Sequence, residues 1–202
     1  MQIEIELKAH VDDTESVAKK LDALAAYQGT YKKEDQYYVQ DGLNNVQGAL
    51  DLPLSGVRIR VESFCDHGGK ETVKTTVNYK TKECRDGIEV NTENEFEIVG
   101  NAAHKQIEYL FLTLGLKHGV HKIKQGRLWK YGIEETPISA ELSLVEGLGY
   151  FLELEILSDR DDKAVIEASR KRLLDLLELC GIEKEKIENR YYSEMLQNLP
   201  SL

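Results

Sequence analysis

The 202-residue sequence has little proline and cysteine and no apolar run near the ~18 residues that a membrane span requires. We therefore predict a protein without a membrane-spanning segment. Only three prolines interrupt the chain, and no proline-rich or low-complexity stretch marks a linker between domains. Because domains usually contain roughly 100–200 residues, we predict a single domain over residues 1–202.

The three cysteines, Cys65, Cys84 and Cys180, are scattered and form no Cys-x-x-Cys pair. Their odd number and their spacing disfavour both a disulfide framework and a structural zinc site. The N-terminal residues Met1-Gln2-Ile3-Glu4 resemble no secretory signal, since they contain neither a basic nor an apolar segment. These features predict a cytoplasmic protein.

The chain also lacks a basic excess, because 26 Lys and Arg stand against 36 Asp and Glu for a net charge of −10. Binding to nucleic acid or to an anionic membrane usually needs a net basic face. We therefore expect neither partner. Local clusters of basic residues remain able to bind a small anion.

Periodicity predicts a mainly β protein of the α+β class with about four helices. Residues alternate between apolar and polar in segments that are separated by hairpin-sized turns, which favours antiparallel pairing. The predicted strands cover residues 2–10, 31–40, 56–64, 72–82, 88–99, 120–131, 138–145 and 150–157. The helical segments begin at Thr14, Asn101 and Asp161 or Asp162, and the last one covers 184–195. The first three are expected to end at Gly29, Gly115 and Gly181.

The polar faces of the predicted strands carry charges that are sorted by sign. Side chains at positions i and i+2 of a strand point to the same face. Solvated outer faces would explain any single pair, but an ordinary surface mixes the two signs. The sets that share a face are Glu4 and Glu6 with Lys8, Arg58 and Arg60, Lys74, Thr76, Asn78 and Lys80, Glu95 and Glu97, Lys122 and Lys124, and Glu153 and Glu155.

A closed sheet would turn these charged faces toward one interior and the apolar faces toward the helices. Carboxylates bind hard cations such as Mg²⁺ or Mn²⁺, and Lys and Arg bind phosphoryl oxygens. The sorted charges therefore indicate an interior that holds a polyphosphate together with a divalent metal ion.

Seven short segments carry a resemblance to a known family. They are Glu4-Ile5-Glu6-Leu7-Lys8, Asp35-Gln36-Tyr37-Tyr38, Arg58-Ile59-Arg60, Asn78-Tyr79-Lys80, Glu95-Phe96-Glu97, the segment Gly147 to Glu155 that reads Gly-Leu-Gly-Tyr-Phe-Leu-Glu-Leu-Glu, and Arg190-Tyr191-Tyr192. Over nearly the whole chain and in this order, they resemble the motifs of the CYTH family, also called triphosphate tunnel enzymes.

The resemblance implies a closed eight-stranded antiparallel β-barrel with a polar lumen, and it assigns roles to the matching residues. Glu4, Glu6, Glu153 and Glu155 would bind Mg²⁺ or Mn²⁺. Lys8, with Glu4 and Glu6, would belong to the catalytic centre. Phosphates would be bound by Lys8, Arg58, Arg60, Lys80, Lys124 and Arg190. The tunnel would also be lined by Glu95, Glu97 and Asn78.

Two positions depart from the family pattern. Ser143 stands where the family usually has an aspartate that binds metal, and Gly126 stands where an arginine is expected. A β-bulge would return the neighbouring Arg127 to the lumen, or Lys122 together with Lys124 would serve instead. These changes leave a weakened or repurposed enzyme among the alternatives.

The resemblance implies a small-molecule triphosphate as the substrate: tripolyphosphate, thiamine triphosphate or ATP. The presence of both Glu153 and Glu155 fits hydrolysis, which we favour over cyclisation of ATP to cyclic AMP and pyrophosphate by a class IV adenylyl cyclase. A domain that binds polyphosphate or nucleotide without turnover is the third alternative, because of Ser143 and Gly126. The family also suggests a homodimer.

Overall fold

The computed structural model describes residues 3–39, 46–47, 53–85, 88–99, 103–132, 136–160 and 162–199. Nine strands and four α-helices are found in these ranges. The strands are β1 (Ile3–His10), β2 (Ala26–Val39), β3 (Val46–Gln47), β4 (Pro53–Asp66), β5 (Glu71–Arg85), β6 (Ile88–Glu97), β7 (Lys117–Tyr131), β8 (Ile138–Val145) and β9 (Gly149–Ser158). The helices are α1 (Thr14–Leu24), α2 (Ala103–Thr113), α3 (Lys163–Leu179) and α4 (Tyr192–Gln197), with a 3₁₀ turn at Lys184–Lys186.

All nine strands belong to one antiparallel sheet in the order β2-β7-β8-β9-β1-β6-β5-β4-β3. The sheet curls on itself, because β2 pairs with β4 as well as with β7. The prediction of a mainly β fold with antiparallel pairing is confirmed. The expected closed barrel of eight strands is not confirmed in that form, since the described sheet has a ninth strand, β3, at the edge beside β4.

The main hydrophobic core lies on the outer face of the sheet, under α1 and α3. The apolar residues of the alternating strands, such as Ile5, Leu7 and Leu154, pack there against helix residues that include Leu21 and Leu173. A smaller cluster forms where α2 covers the outer face of β2, β4 and β5. Because the helices cover the apolar face, the charged face of each strand is turned toward the inside of the curl.

Helix α1 is shorter than predicted and ends before Gly29. Its N-terminus is capped by Asp13, whose side chain accepts a hydrogen bond from the Ser16 backbone N–H at 3.0 Å. The chain turns extended at Ala25, and β2 begins at Ala26, so Gly29 lies inside a strand. The close approach of β4 explains this glycine, because a Cβ at position 29 would lie 2.1 Å from the Cys65 carbonyl oxygen.

The predicted helix over 184–195 is wrong, because the segment divides into a short 3₁₀ turn, an extended stretch and α4. Ile187 forms a β-bridge with Ala9, and the Glu188 backbone N–H donates to the Lys8 carbonyl at 2.9 Å. These contacts with β1 hold the middle of the segment extended. For α3, the structure confirms the alternative in which Asp162 is the N-cap, since its side chain accepts from the Val165 N–H. Among the described residues, no helix is long and apolar enough to cross a membrane.

Gly126 lies at a point where β7 and β8 approach closely. It pairs directly with Ser143, and a Cβ at position 126 would lie 2.3 Å from the Leu142 carbonyl oxygen and 2.7 Å from the Ser143 Cα. Both atoms belong to the backbone and cannot rotate away. The arginine that the family pattern leads one to expect at this position therefore has no room here.

We predict that Gly126→Ala lowers the free energy of unfolding by about 1–3 kcal/mol, since overpacking forces the backbone to shift. Urea denaturation followed by circular dichroism measures the change. Gly119→Ala in the same strand is the matched control, because its Cβ would meet no atom closer than 3.2 Å. Equal stability of the two variants would contradict this account of the β7–β8 contact.

Candidate active site

A charged cavity lies inside the curled sheet. Its walls come from β1, β2, β4, β6, β7, β8 and β9, and residues at the start of α4 border it. Nine of the residues singled out in the sequence line this cavity: Glu4, Glu6, Lys8, Arg58, Arg60, Lys122, Lys124, Glu153 and Glu155. With Lys33, Glu89 and Glu141 added, the sheet brings acids and bases from seven separate strands to one interior.

Three glutamates stand side by side across β6, β1 and β9. Glu6 is the register partner of Glu89 on one side and of Glu155 on the other. Like charges directly opposite one another destabilise a sheet. Burial, followed by the charges of Glu89, Glu153 and Glu4, raises the pKa of Glu6 to about 8. The row therefore carries more negative charge than its surroundings neutralise.

Glu4 adds a further carboxyl group to this row. Burial and then a hydrogen bond and charge contact with Glu4 raise the pKa of Glu155 well above its ordinary value. Two neighbouring buried carboxyl groups are a donor set suited to a divalent cation, which would favour their ionised forms. In the described residues, no three acidic, histidine or cysteine side chains already form a metal-binding arrangement. The chemistry of the row fits Mg²⁺ or Mn²⁺, and its side chains would have to turn toward the ion.

Lys8 lies next to this row and forms a buried ion pair with Glu89. Burial favours the neutral amine, but Glu89 and Glu6 outweigh that effect and raise the pKa of Lys8 above its ordinary value. The ammonium group also lies 5.6 Å from the ring centres of Tyr191 and Tyr192. Lys8 is therefore held charged between the carboxylates and the aromatic rings of the C-terminal segment.

Asp35 organises the basic side of the cavity. Its carboxylate is fully buried and accepts hydrogen bonds from the Arg60 guanidinium at 2.7 and 3.0 Å. The Lys122 Nζ lies 3.0 Å from it and the Arg58 Nη1 lies 3.4 Å from it. Burial alone would raise the pKa of Asp35, but Arg58, Arg60 and Lys122 outweigh it and hold the pKa well below the usual range. One anion thus holds three cations together.

A second chain of ion pairs crosses the cavity wall from β2 to α4. Glu141 accepts from Lys33 at 2.7 Å and lies 2.6 Å from Lys124, which also donates to Glu153 at 2.6 Å. Tyr192 donates its hydroxyl hydrogen to the other Glu153 oxygen at 2.6 Å. Burial opposes ionisation of Glu141, but Lys124 and Lys33 hold its pKa well below the ordinary value.

Five residues singled out in the sequence do not line the cavity. Arg190 is an exposed residue whose guanidinium donates to Glu188 at 2.9 and 2.6 Å. Glu95 and Glu97 are exposed, because β6 runs past the end of its pairing with β1 at Thr92. The remaining two are Asn78, which is buried opposite Arg58, and Arg127. The side chain of Lys80 lies outside the described part of the structure.

The predicted bulge that would return Arg127 to the interior is not found. Register shifts in the β2–β7 pair occur at Tyr27/Gly29 and Gln36/Tyr38, and the pairing through Arg127 is regular. The Arg127 guanidinium lies on the outer face, 5.3 Å from the Trp129 ring centre. Lys122 and Lys124, the alternative drawn from the sequence, both line the cavity.

The sequence analysis missed Lys33, Glu89 and Glu141 as residues of the site. The two-residue period of a strand could have identified two of them. Lys33 precedes Asp35 by two residues and Glu141 precedes Ser143 by two, so each lies on the same strand face as a residue of the family motifs. Parity alone did not distinguish Glu89 from Glu95 and Glu97 on the same strand. That choice depends on where β1 ends, which is a property of the strand pairing.

Comparison with known proteins agrees with this geometry. The CYTH domain family matches residues 2–192. The chain belongs to the CYTH family. A protein of Methanocaldococcus jannaschii, whose name marks it as a candidate adenylate cyclase, is 29% identical over 198 residues, or 96% of this chain and 98% of the relative.

Two solved structures resemble this CYTH chain over nearly their whole length. The PH1819 protein of Pyrococcus horikoshii OT3 has a TM-score of 0.75 and 26% identity, with 96% of this chain and 98% of that chain covered. The Hippeastrum protein HpAC1, described as a candidate adenylyl cyclase with a dominant triphosphatase activity, has a TM-score of 0.62 and 13% identity, with 100% and 98% covered. The second likeness concerns the fold alone.

The CYTH chain departs from the family pattern at Ser143 without losing a carboxylate from β8. Ser143 is buried and does not line the cavity. Glu141, two residues earlier on the same face of the strand, does line it. An acidic group is therefore present on this strand, two residues before the place where the resemblance predicts it.

The raised pKa of Glu6 predicts a pH-dependent stability in metal-free protein. The folded state binds the Glu6 proton more tightly than the unfolded state, so stability is lost as the pH rises from about 5 to about 8. Glu6→Gln imitates the protonated form. We expect it to raise the free energy of unfolding by about 2 kcal/mol at pH 8 and to change little at pH 5.

Urea denaturation in the presence of EDTA at the two pH values measures this difference. Glu71→Gln, at an exposed position of β5, controls for the change in net charge. A stability gain of Glu6→Gln that is the same at pH 5 and pH 8 would show that Glu6 does not titrate in this range.

Proposed function

We propose that this CYTH chain hydrolyses a small-molecule triphosphate with the help of a divalent metal ion. One observation carries the proposal: crowded carboxylates and buried bases meet in a single cavity, so neither a cation nor an anion alone satisfies it. Buried charges without partners are costly. A metal-bound polyphosphate would place a cation beside the crowded carboxylates and an anion beside the bases.

In this proposal, the basic groups bind the phosphate chain. Arg58, Arg60 and Lys122 all contact Asp35 in the cavity wall, so three positive charges lie close together where phosphoryl oxygens would bind. Arginine suits such binding because its planar fork donates two parallel hydrogen bonds to one phosphoryl group. Lys8 lies nearer the carboxylates and would bind the phosphoryl group closest to them.

The metal ion would be held by Glu4, Glu6, Glu153 and Glu155. Mg²⁺ or Mn²⁺ bound there supplies charge neutralisation of phosphoryl oxygens and activation of a water molecule. The chain's own bases orient the phosphate and stabilise the charge that develops on it. The water oxygen forms a bond to the terminal phosphorus while the bond from that phosphorus to the bridging oxygen breaks. Orthophosphate and the shortened phosphate chain are the products.

Cyclisation of ATP to cyclic AMP and pyrophosphate is the second candidate. The name of the Methanocaldococcus jannaschii relative favours it. Hydrolysis is favoured by the presence of both Glu153 and Glu155 in the cavity, and the description of HpAC1 supports hydrolysis on this fold. Ser143 and Gly126 keep binding without turnover as the third candidate.

The decisive experiment incubates the purified protein with Mg²⁺ or Mn²⁺ and tripolyphosphate, thiamine triphosphate or ATP. Release of orthophosphate supports hydrolysis. The triphosphate that is hydrolysed with the highest kcat/KM is then the preferred substrate among the three. Formation of cyclic AMP together with pyrophosphate from ATP would show that the reaction is cyclisation and not hydrolysis. If calorimetry shows binding of tripolyphosphate and no product forms, the chain is a binding domain and not an enzyme.

We predict that Glu4→Gln and Glu155→Gln each lower metal-dependent turnover by about 100-fold or more, because each removes a metal ligand and its charge. The loss should be accompanied by weaker binding of Mn²⁺, measured by calorimetry. Glu97→Gln, at an exposed position on β6, is the matched control and should keep full activity. Unchanged turnover in Glu4→Gln and Glu155→Gln would exclude them as metal ligands.

A further inference from the structure

Glu141 occupies an unusual position between two lysines of the cavity. Its two carboxylate oxygens are both engaged, one with Lys33 at 2.7 Å and the other with Lys124 at 2.6 Å. All three residues line the cavity and have little exposure. The carboxylate therefore faces the same interior as the phosphate-binding residues, and each of its oxygens contacts a lysine.

The two lysines are held as a pair by the sheet itself. Lys33 in β2 and Lys124 in β7 are direct register partners. Two positive charges directly opposite one another repel. The Tyr31 ring lies 4.6 Å from the Lys33 Nζ and 5.6 Å from the Lys124 Nζ and offers only a weak attraction to each. An anion between the two ammonium groups is therefore needed, and Glu141 provides it.

We propose that Lys33 and Lys124 form a phosphoryl-binding subsite which Glu141 fills while no ligand is bound. The inference rests on the proposed function, because it takes the triphosphate as the ligand. A phosphoryl group offers oxygens in the same places as a carboxylate and carries at least as much negative charge. Its binding exchanges one anionic partner of the lysines for another, and Glu141 then turns away.

The exchange makes Glu141 a competitor of the ligand. Lys124 has Glu153 as a second partner whether or not the ligand is bound. Lys33 pairs with Glu141 in the ligand-free protein and would exchange that carboxylate for the phosphoryl group. Removing the negative charge at position 141 should therefore strengthen anion binding. Removing the positive charge at position 33 should weaken it.

The test is calorimetric titration of the purified protein with tripolyphosphate in EDTA, so that no metal ion contributes. We expect Glu141→Gln to lower the Kd by about tenfold and Lys33→Gln to raise it by about tenfold, as removal of one close charge predicts. The matched controls are Glu34→Gln and Lys32→Gln, which make the same charge changes at exposed positions of the same strand as Lys33. Neither control should change the Kd more than about twofold.

The possible results separate this inference from the proposed function. If the unaltered protein does not bind tripolyphosphate, with or without Mg²⁺, the proposed function itself fails. If it binds and Glu141→Gln has an equal or higher Kd, the role of Glu141 as a competitor is overturned. Because Glu141→Gln leaves two lysines unneutralised and can impair folding, Lys33→Gln provides the second test. A Kd for Lys33→Gln that equals that of Lys32→Gln overturns the subsite.

Discussion

The structure depends on one electrostatic constraint, which is that charged side chains of both signs share an interior largely shielded from water. Burying a charge is affordable only beside a partner. Asp35 holds Arg58, Arg60 and Lys122, and Glu141 holds Lys33 and Lys124. In the Glu89–Glu6–Glu155 row, Lys8 pairs with Glu89, whereas burial and the neighbouring carboxylates raise the pKa of Glu6 and of Glu155. This crowding of carboxylates is localised, and it lies where the proposed metal ion would bind.

The hydrophobic core and the charged cavity are two sides of the same strands. Residues such as Ile5 and Leu154 face outward and pack under α1 and α3, while their neighbours Glu6 and Glu153 face inward. Packing of the apolar side determines the register, and a slip by one residue would exchange the two faces. The stability of the core therefore also positions the charges of the candidate active site.

The departures from the family pattern have local physical explanations. Gly126 is required by the short distance between β7 and β8, and the regular pairing of β7 turns Arg127 outward onto Trp129. Ser143 leaves the interior without an acid at its own position, and Glu141 supplies one two residues earlier. Lys33 faces Glu141 across the cavity wall, so the added acid and the added base neutralise each other.

The sequence alone determined the class of the fold and most of the interior charges, because a strand's two-residue period assigns each side chain to a face. The pairs Glu4 and Glu6, Arg58 and Arg60, and Glu153 and Glu155 were found in this way. Only the tertiary structure decided how far neighbouring strands overlap. That overlap buries Glu89 and exposes Glu95 and Glu97 on one strand, and it pairs Lys33 with Lys124. The contacts of β1 with Ile187 and Glu188 likewise hold Arg190 outside the cavity. The sequence could not show these features, because pairing between distant strands leaves no periodic pattern in the chain.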